Sequence, residues 1–202
     1  YNHASQEYAA PGRLKFRDLN NDGVITDADQ CVIGDPNPAW ACGLNLDFNY
    51  KDFTLSTFFS GEFGFDIYNF SKKQLEFFSY GPNSINHGAE VLNAWSESNP
   101  NSSIPAVSMT GANSETRFST YFLEKGSYMK MKYIKLAYNL PASVTKKWCQ
   151  KFGVYAQVEN VFTITGYKGL DPELPISGFG ARVDNSVYPN SRTVTFGLNL
   201  TF

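Results

Sequence analysis

From Arg192 to Phe202 the chain reads RTVTFGLNLTF, with Val194, Phe196, Leu198, Leu200 and Phe202 at one parity and Thr195, Gly197, Asn199 and Thr201 at the other. Strict alternation sends successive side chains to opposite faces of an extended chain, and so predicts a β-strand running to the last residue. The pattern recurs over Gly43–Tyr50, where Leu44, Leu46, Phe48 and Tyr50 alternate with Asn45, Asp47 and Asn49. Lys51-Asp52 interrupts it, and Phe53–Phe63 (FTLSTFFSGEF) reads as the return strand of a hairpin with a very short turn. Tyr128–Leu140 and Phe152–Ile164 are two further long candidates, separated by PASVTKKWCQK at 141–151. Pro141, with no N–H to give to a ladder, ends the first of them. Five long strands are predicted.

Alternation alone fits two settings. A soluble sheet buries its apolar face and wets the polar one, whereas a large barrel turns the apolar face to lipid and the polar one to a wet lumen. Two features favour the barrel. The last strand ends on an unprotected aromatic, Phe202, and the connections are sorted by length: 51–52 and 141–151 are short, whereas 64–127 and 166–191 are long, polar and rich in Gly, Pro, Asn and Ser. Short turns at one end and long loops at the other are the signature of a bacterial transmembrane barrel, with the long loops outside. The expected fold is therefore all-β, an antiparallel transmembrane β-barrel segment with long extracellular loops.

With Phe202 at the periplasmic end, following the strands backwards places residues 1–41 in an extracellular loop and 42–202 in C-terminal barrel strands and loops. An odd number of strands does not close a single-chain bacterial barrel, so the expectation is a piece of a larger one. Within 64–127, Ser71–Phe78 and Ala89–Trp95 are predicted as short helices, with GPNSIN and NPNSSIP as loop punctuation.

Composition narrows the function classes. Lys and Arg number 17 against 19 Asp and Glu, a net charge of −2, which excludes a general nucleic-acid binder. Charged residues make up 18% of the 202, below the roughly 25% usual in soluble domains, while aromatic residues reach 16%. No apolar run approaches the roughly 20 residues of a membrane-spanning helix, which leaves strands as the way to span. The opening YNHASQEYAAPG lacks the basic and apolar parts of a signal peptide. Cys31, Cys42 and Cys149 match neither a zinc site nor a disulfide framework and are expected as small buried hydrophobes.

One motif carries chemistry. Asp18–Asp29 reads DLNNDGVITDAD, placing Asp18, Asn20 and Asp22 at positions 1, 3 and 5 of an EF-hand-type calcium loop, Gly23 at 6, Val24 at 7 and Asp29 at 12. Asp29 stands where such loops carry Glu. A hard cation needs several oxygens, a Gly for the sharp turn and a backbone carbonyl at position 7. The flanking GRLKFR and QCVIGDPNP do not read as helices, so the expectation is a structural Ca2+ pinning an outer loop rather than a sensor. A metal-free Asn/Asp/Gly turn is the alternative.

No catalytic constellation stands out. His3 and His87 have no neighbouring ligand partners, and the pairs Glu62/Asp66 and Asp171/Glu173 lack any sign of the opposed geometry of a glycosidase. No nucleophile elbow or phosphate-binding loop occurs, and the chain is not expected to be an enzyme. Tyr167, Phe179, Tyr188 and the Phe77-Phe78-Tyr80 cluster could stack on sugars or peptides, or serve as ordinary loop packing.

Taken together, these motifs resemble the C-terminal region of SusC/RagA-type TonB-dependent outer-membrane transporters. The likeness rests on PGRLKFRDLNNDGVITDADQCVIGDPNPAW leading into the YKDFTL hairpin, then FLEKGSYMKMKYIKLAYNLP, Glu159-Asn160-Val161-Phe162, YKGLDPE and the closing YPNSRTVTFGLNLTF. It runs in order over nearly the whole chain. The resemblance implies about the last five strands of a 22-stranded barrel with an N-terminal plug, importing oligosaccharides or peptides under TonB. It further implies a SusD-like surface lipoprotein as a lid, a bacterial outer-membrane location in contact with lipid, and Phe202 as the barrel-assembly signal. Substrate-binding residues are not identified by it. Plug, TonB contact and most of the barrel lie outside these residues, so a fragment or the smaller part of a split transporter is expected. The competing reading is a soluble, calcium-containing all-β carbohydrate-binding or adhesion module, and a passive porin is a third.

Overall fold

The computed structural model describes residues 9–80, 86–177 and 180–202. His3, Phe179 and most of the GPNSIN segment fall outside them. Strands β1 (Trp40–Tyr50), β2 (Phe53–Phe63), β5 (Tyr128–Asn139), β6 (Lys151–Thr165) and β8 (Thr193–Thr201) form one antiparallel sheet in that order. The short strands β3 (Asp66–Asn69), β4 (Leu123–Lys125) and β7 (Val183–Asp184) make a second sheet, ordered β4-β3-β7, with β3 and β7 parallel. This small sheet has no counterpart in the alternation pattern, because strands of two to four residues are too short to show a period.

The long strands match the pattern closely. β1 starts at Trp40, three residues earlier than alternation indicated, and its register pairs Tyr50 with Phe53 across Lys51-Asp52. Lys51 takes φ +53 there, the left-handed conformation that so tight a turn demands. The segment after Pro141 contains one helical turn, α2 (Ala142–Thr145), held inward by Thr145 and Cys149, both buried. In the long loop α1 spans Ser71–Glu76 and Ala89–Asn93 is a 3-10 turn, so both predicted helices exist in shortened form.

The chain divides into two compact units. One holds the stretch ending at Gly34, Tyr68–Glu124 and Val183–Ser186. Its core is Tyr68, Phe77 and Phe122, with Leu14, Phe70 and Tyr80 against them. The other holds Asp35–Ile67, Lys125–Arg182 and Val187–Phe202, with Phe65, Ile67, Tyr128, Tyr167 and Leu174 as its buried cluster. Cys149 is buried as expected, but Cys31 and Cys42 are exposed. Cys42 faces outward because it sits on the same strand face as Leu44 and Phe48, a face that the unit leaves uncovered.

Candidate functional site

The register sorts the side chains of the five-stranded sheet onto two chemically distinct faces. On one face lie Leu44, Leu46 and Phe48 of β1, Leu55 and Phe59 of β2, Met129, Ile134 and Leu136 of β5, Val154, Ala156 and Val158 of β6, and Phe196, Leu198 and Leu200 of β8. No Asp, Glu, Lys or Arg takes part in the cross-strand pairs of that face. The face is open: Leu44 is 52% exposed, Phe48 59%, Phe196 78% and Leu198 66%. Rings mark both ends of this face. Trp40 stacks on Phe63 at one end (centroids 4.1 Å apart), and Phe53 packs on Tyr138 at the other (4.5 Å). The ten residue steps from Trp40 to Tyr50 make about 34 Å of strand, which at a tilt of about 45° spans an apolar band of about 24 Å.

The opposite face is polar. Asn45, Asn49, Thr54, Lys135, Gln157, Glu159, Thr195 and Asn199 occupy it. Thr54 donates to Asn49 at 2.7 Å and Gln157 to Glu159 at 2.7 Å. Aromatic rings on this face settle over glycine backbones: Phe58 lies where a Cβ on Gly43 would be 3.3 Å away, and Tyr155 covers Gly197. Lys135 places its ammonium 4.4 Å from the centre of the Tyr155 ring.

Charge concentrates where β5 bulges. Between Met131 and Tyr133 the register slips on both sides, leaving Lys132 as the extra residue. Lys130, its side chain 5% exposed, bonds both oxygens of Asp171 at 2.6 and 2.8 Å and Glu173 at 2.9 Å; Lys132 pairs with Glu173 as well. Asn190 donates to both carboxylates. Burial works against the ionised forms of Asp171 and Glu173, but the lysines outweigh it and hold both below the ordinary carboxylate range. The pair considered as acid and base is thus an ion network tying the 166–191 loop to the strand wall. Glu62 and Asp66 are occupied separately, by Arg182 (2.8 Å) and Lys125 (2.7 Å). The sequence motif YMKMKY held the signal, since Lys130 and Lys132 interrupt its apolar residues, but their partners lie about forty residues away.

The Asp18–Asp29 loop is closed on itself. Asp18 accepts from the N–H groups of Asn21 (2.7 Å) and Gly23 (2.9 Å), and Asp22 accepts from Val24 (2.8 Å). Asn20 accepts from the Asp22 N–H at 3.0 Å. Asp29 accepts from Thr26 and Leu19 (2.8 and 2.7 Å), and those two bonds, with one from Asn20, keep its carboxyl below its usual range. Asn21 and Gly23 take φ of +62 and +86, the sharp turn the motif demands. Among the described residues no three His, Cys, Asp or Glu side chains converge on one point. The donor set still suits a hard cation: it is all oxygen, and each carboxylate oxygen that accepts one N–H keeps a second lone pair.

In the loop unit, Lys73 is enclosed by the rings of Tyr68, Phe70, Tyr80, Phe118 and Phe122 at 4.7–5.9 Å, and burial lowers its pKa. Tyr121 donates a very short hydrogen bond to Glu76, and Lys72 sits over the Tyr121 ring at 3.9 Å. His87 stacks on Phe78 (3.7 Å) and joins no metal-ligating group. Of the predicted stacking residues, Phe77 and Tyr167 are core, whereas Tyr188 is 85% exposed.

Known proteins bear on which setting a sheet with two such faces belongs to. Over 200 residues the chain is 35% identical to TonB-dependent receptor P3 of Formosa agariphila, a match covering 95% of the chain and 19% of that protein. It is 29% identical over 204 residues to TonB-dependent receptor SusC of Bacteroides thetaiotaomicron, covering 100% of the chain and 19% of SusC. The RagAB peptide importer in its open-open state superposes with a TM-score of 0.74 at 28% identity, over 92% of the chain and 20% of that structure's chain. The chain is homologous to part of a SusC/RagA-type TonB-dependent receptor. It spans about a fifth of the length of the curated relatives it matches. No protein-family model matches it. TonB-dependent receptors are outer-membrane β-barrel transporters rather than enzymes, and this SusC/RagA-like segment contributes an open antiparallel sheet rather than a closed barrel. No helix among the described residues is long and apolar enough to cross a membrane, so any crossing is by strands.

Proposed function

We propose that the chain forms the C-terminal wall of a TonB-dependent outer-membrane importer for glycans or peptides, completed by the remaining strands and plug and working with a SusD-like surface lipoprotein. The observation that carries this reading is the exposed, charge-free face of five neighbouring strands of one sheet. Its rings cluster at both ends, and its estimated height of about 24 Å fits a lipid-facing band of about 25 Å. A soluble carbohydrate-binding or adhesion module would bury Leu44, Phe48, Phe196 and Leu198 against a second layer, and within their unit nothing covers them. The polar face then lines the lumen. TonB acts through the plug, and Phe202 at the end of β8 serves as the assembly signal.

In the same reading the Asp18–Asp29 loop holds a structural Ca2+. Asp18, Asn20, Asp22 and Asp29 would supply side-chain oxygens and Val24 its carbonyl. The ion supplies positive charge that pins the outer loop.

The test is to extract the chain from membranes in mild detergent, without boiling, and identify every co-migrating polypeptide by mass spectrometry. Strands and plug on the same or a companion chain, with a lipoprotein beside them, are expected. A chain recovered alone, water-soluble and monomeric, would overturn the importer and favour the calcium-loop module.

A further inference from the structure

The turn from Pro141 to Lys151 carries Lys146, Lys147 and Lys151 and no acidic residue, in a chain whose net charge is −2. Among the described residues none of these three lysines has a carboxylate partner. Their backbone is fixed. Trp148 and Cys149 donate N–H bonds to the Thr145 carbonyl at 3.0 Å, and the Gln150 N–H reaches the Thr201 carbonyl at 2.7 Å. Thr145 and Cys149 point inward, and Lys146, Lys147 and Trp148 stand exposed. They border a hollow of about 410 Å³ closed on one side by Phe202.

From this basic turn an apolar path leads up the charge-free face. Trp148 packs on Phe152 (centroids 5.5 Å), and Phe152 pairs with Leu200 in the register. Beyond them opens a groove of about 580 Å³ with Ala156 among its lining residues, bordered by Phe53, Leu136, Val154, Phe196 and Leu198. The small Ala156 among bulky neighbours leaves room there for a chain to lie against the strands. The five residue steps from Lys151 to Ala156 make about 17 Å of strand, which at the same tilt of about 45° spans about 12 Å, half of the apolar band of about 24 Å.

We infer that this surface is a binding site for one anionic glycerophospholipid, its phosphate held by Lys146 and Lys147, its glycerol region beside Trp148, and one acyl chain seated in the groove at Ala156. The charge pattern selects this occupant. A zwitterionic lipid offers its phosphate together with an ammonium of its own that repels the paired lysines, whereas an anionic one brings the phosphate alone, and a soluble protein partner would not find an apolar groove buried in the bilayer. The inference rests on the barrel reading above and specifies which lipid that face retains.

The experiment uses the assembled transporter, with all its polypeptides, in nanodiscs of phosphatidylethanolamine and phosphatidylglycerol. Lipids retained after transfer to detergent are counted by native mass spectrometry. The unaltered protein is expected to keep one phosphatidylglycerol in preference to phosphatidylethanolamine. In K146Q/K147Q that preference falls about tenfold or more, and in A156F, with both lysines intact, retention of either lipid falls. Equal retention of the two lipids by the unaltered protein overturns the proposal. Loss in K146Q/K147Q without loss in A156F reduces the site to a surface phosphate patch and overturns the acyl groove. Heat-modifiable migration scores barrel assembly separately, so failure of the barrel reading is told apart from failure of the lipid site.

Discussion

Glu76 shows how a half-buried acid contributes to the pH response of the loop unit. Burial raises its pKa, against the opposing effects of the Tyr121 hydroxyl and Lys72. A carboxyl whose folded pKa is raised binds its proton more tightly in the folded unit, so its contribution is full below the unfolded value near 4.5 and is lost as pH rises through the folded one. Hydrogen-exchange protection of residues 70–80 and 86–124 is therefore expected to decline as pH climbs from about 4 toward neutrality. Glu76→Gln, whose amide oxygen still accepts from Tyr121, should flatten that decline; an unchanged profile would remove Glu76 as its source. On the sheet, the Tyr155 ring occupies the space that a side chain at Gly197 would need. Gly197→Ala should cost about 1–2 kcal/mol by displacing the ring. In a double-mutant cycle with Tyr155→Ala most of that penalty should disappear, whereas additive effects would show the two residues uncoupled.

At the scale of elements, two segments add charge to hydrophobic burial: Tyr167 and Leu174 of the 166–191 loop and Ile25 of the Asp18–Asp29 loop are buried, and charged groups fix both segments. The 166–191 loop returns to β5 through Lys130, Lys132, Asp171 and Glu173. Lys130→Met leaves part-buried carboxylates undercompensated and should cost about 3 kcal/mol locally. The expected result is loss of hydrogen-exchange protection over 170–176, with the β5–β6 ladder intact. The Asp18–Asp29 loop is the second such segment, closed by carboxylates accepting N–H bonds. Asp18→Asn with Asp22→Asn should raise protease sensitivity around residues 18–29, abolish any Ca2+-dependent protection there, and leave heat-modifiable barrel migration unchanged. Loss of the whole barrel in that variant would show the loop to be part of its foundation. These elements differ in how much of them is local in the sequence. The calcium-type spacing and the strand periods are local and visible in DLNNDG and RTVTFGLNLTF. The Lys130–Asp171 pairing is non-local, and nothing in either segment alone announces the other.

The whole-molecule question is which way the sheet faces, and adjacent residues of β8 test it. Phe196 stands on the charge-free face and Thr195 on the polar one, paired with Ala156 and Gln157 of β6. If the first face meets lipid, Phe196→Lys should destabilise the assembled transporter by about 2–4 kcal/mol near the bilayer middle. Thr195→Lys, facing a wet lumen, should be nearly silent. The readout is the denaturant midpoint of the barrel in detergent micelles, and equal effects of the two would contradict a lipid-facing side.

The sequence by itself determined the five long strands, their hairpin and the segregation of apolar from polar positions, because a period of two is written residue by residue and needs no partner to be read. It also determined the oxygen-rich loop and the likeness to SusC/RagA-type receptors. Only the tertiary structure decided the order β1-β2-β5-β6-β8, the bulge that puts Lys132 beside Lys130, and the short parallel pairing of β3 with β7. It also decided that Cys31 and Cys42 are exposed while Cys149 is buried. These depend on which distant segments meet, and burial and ion pairing are properties of that meeting rather than of either segment.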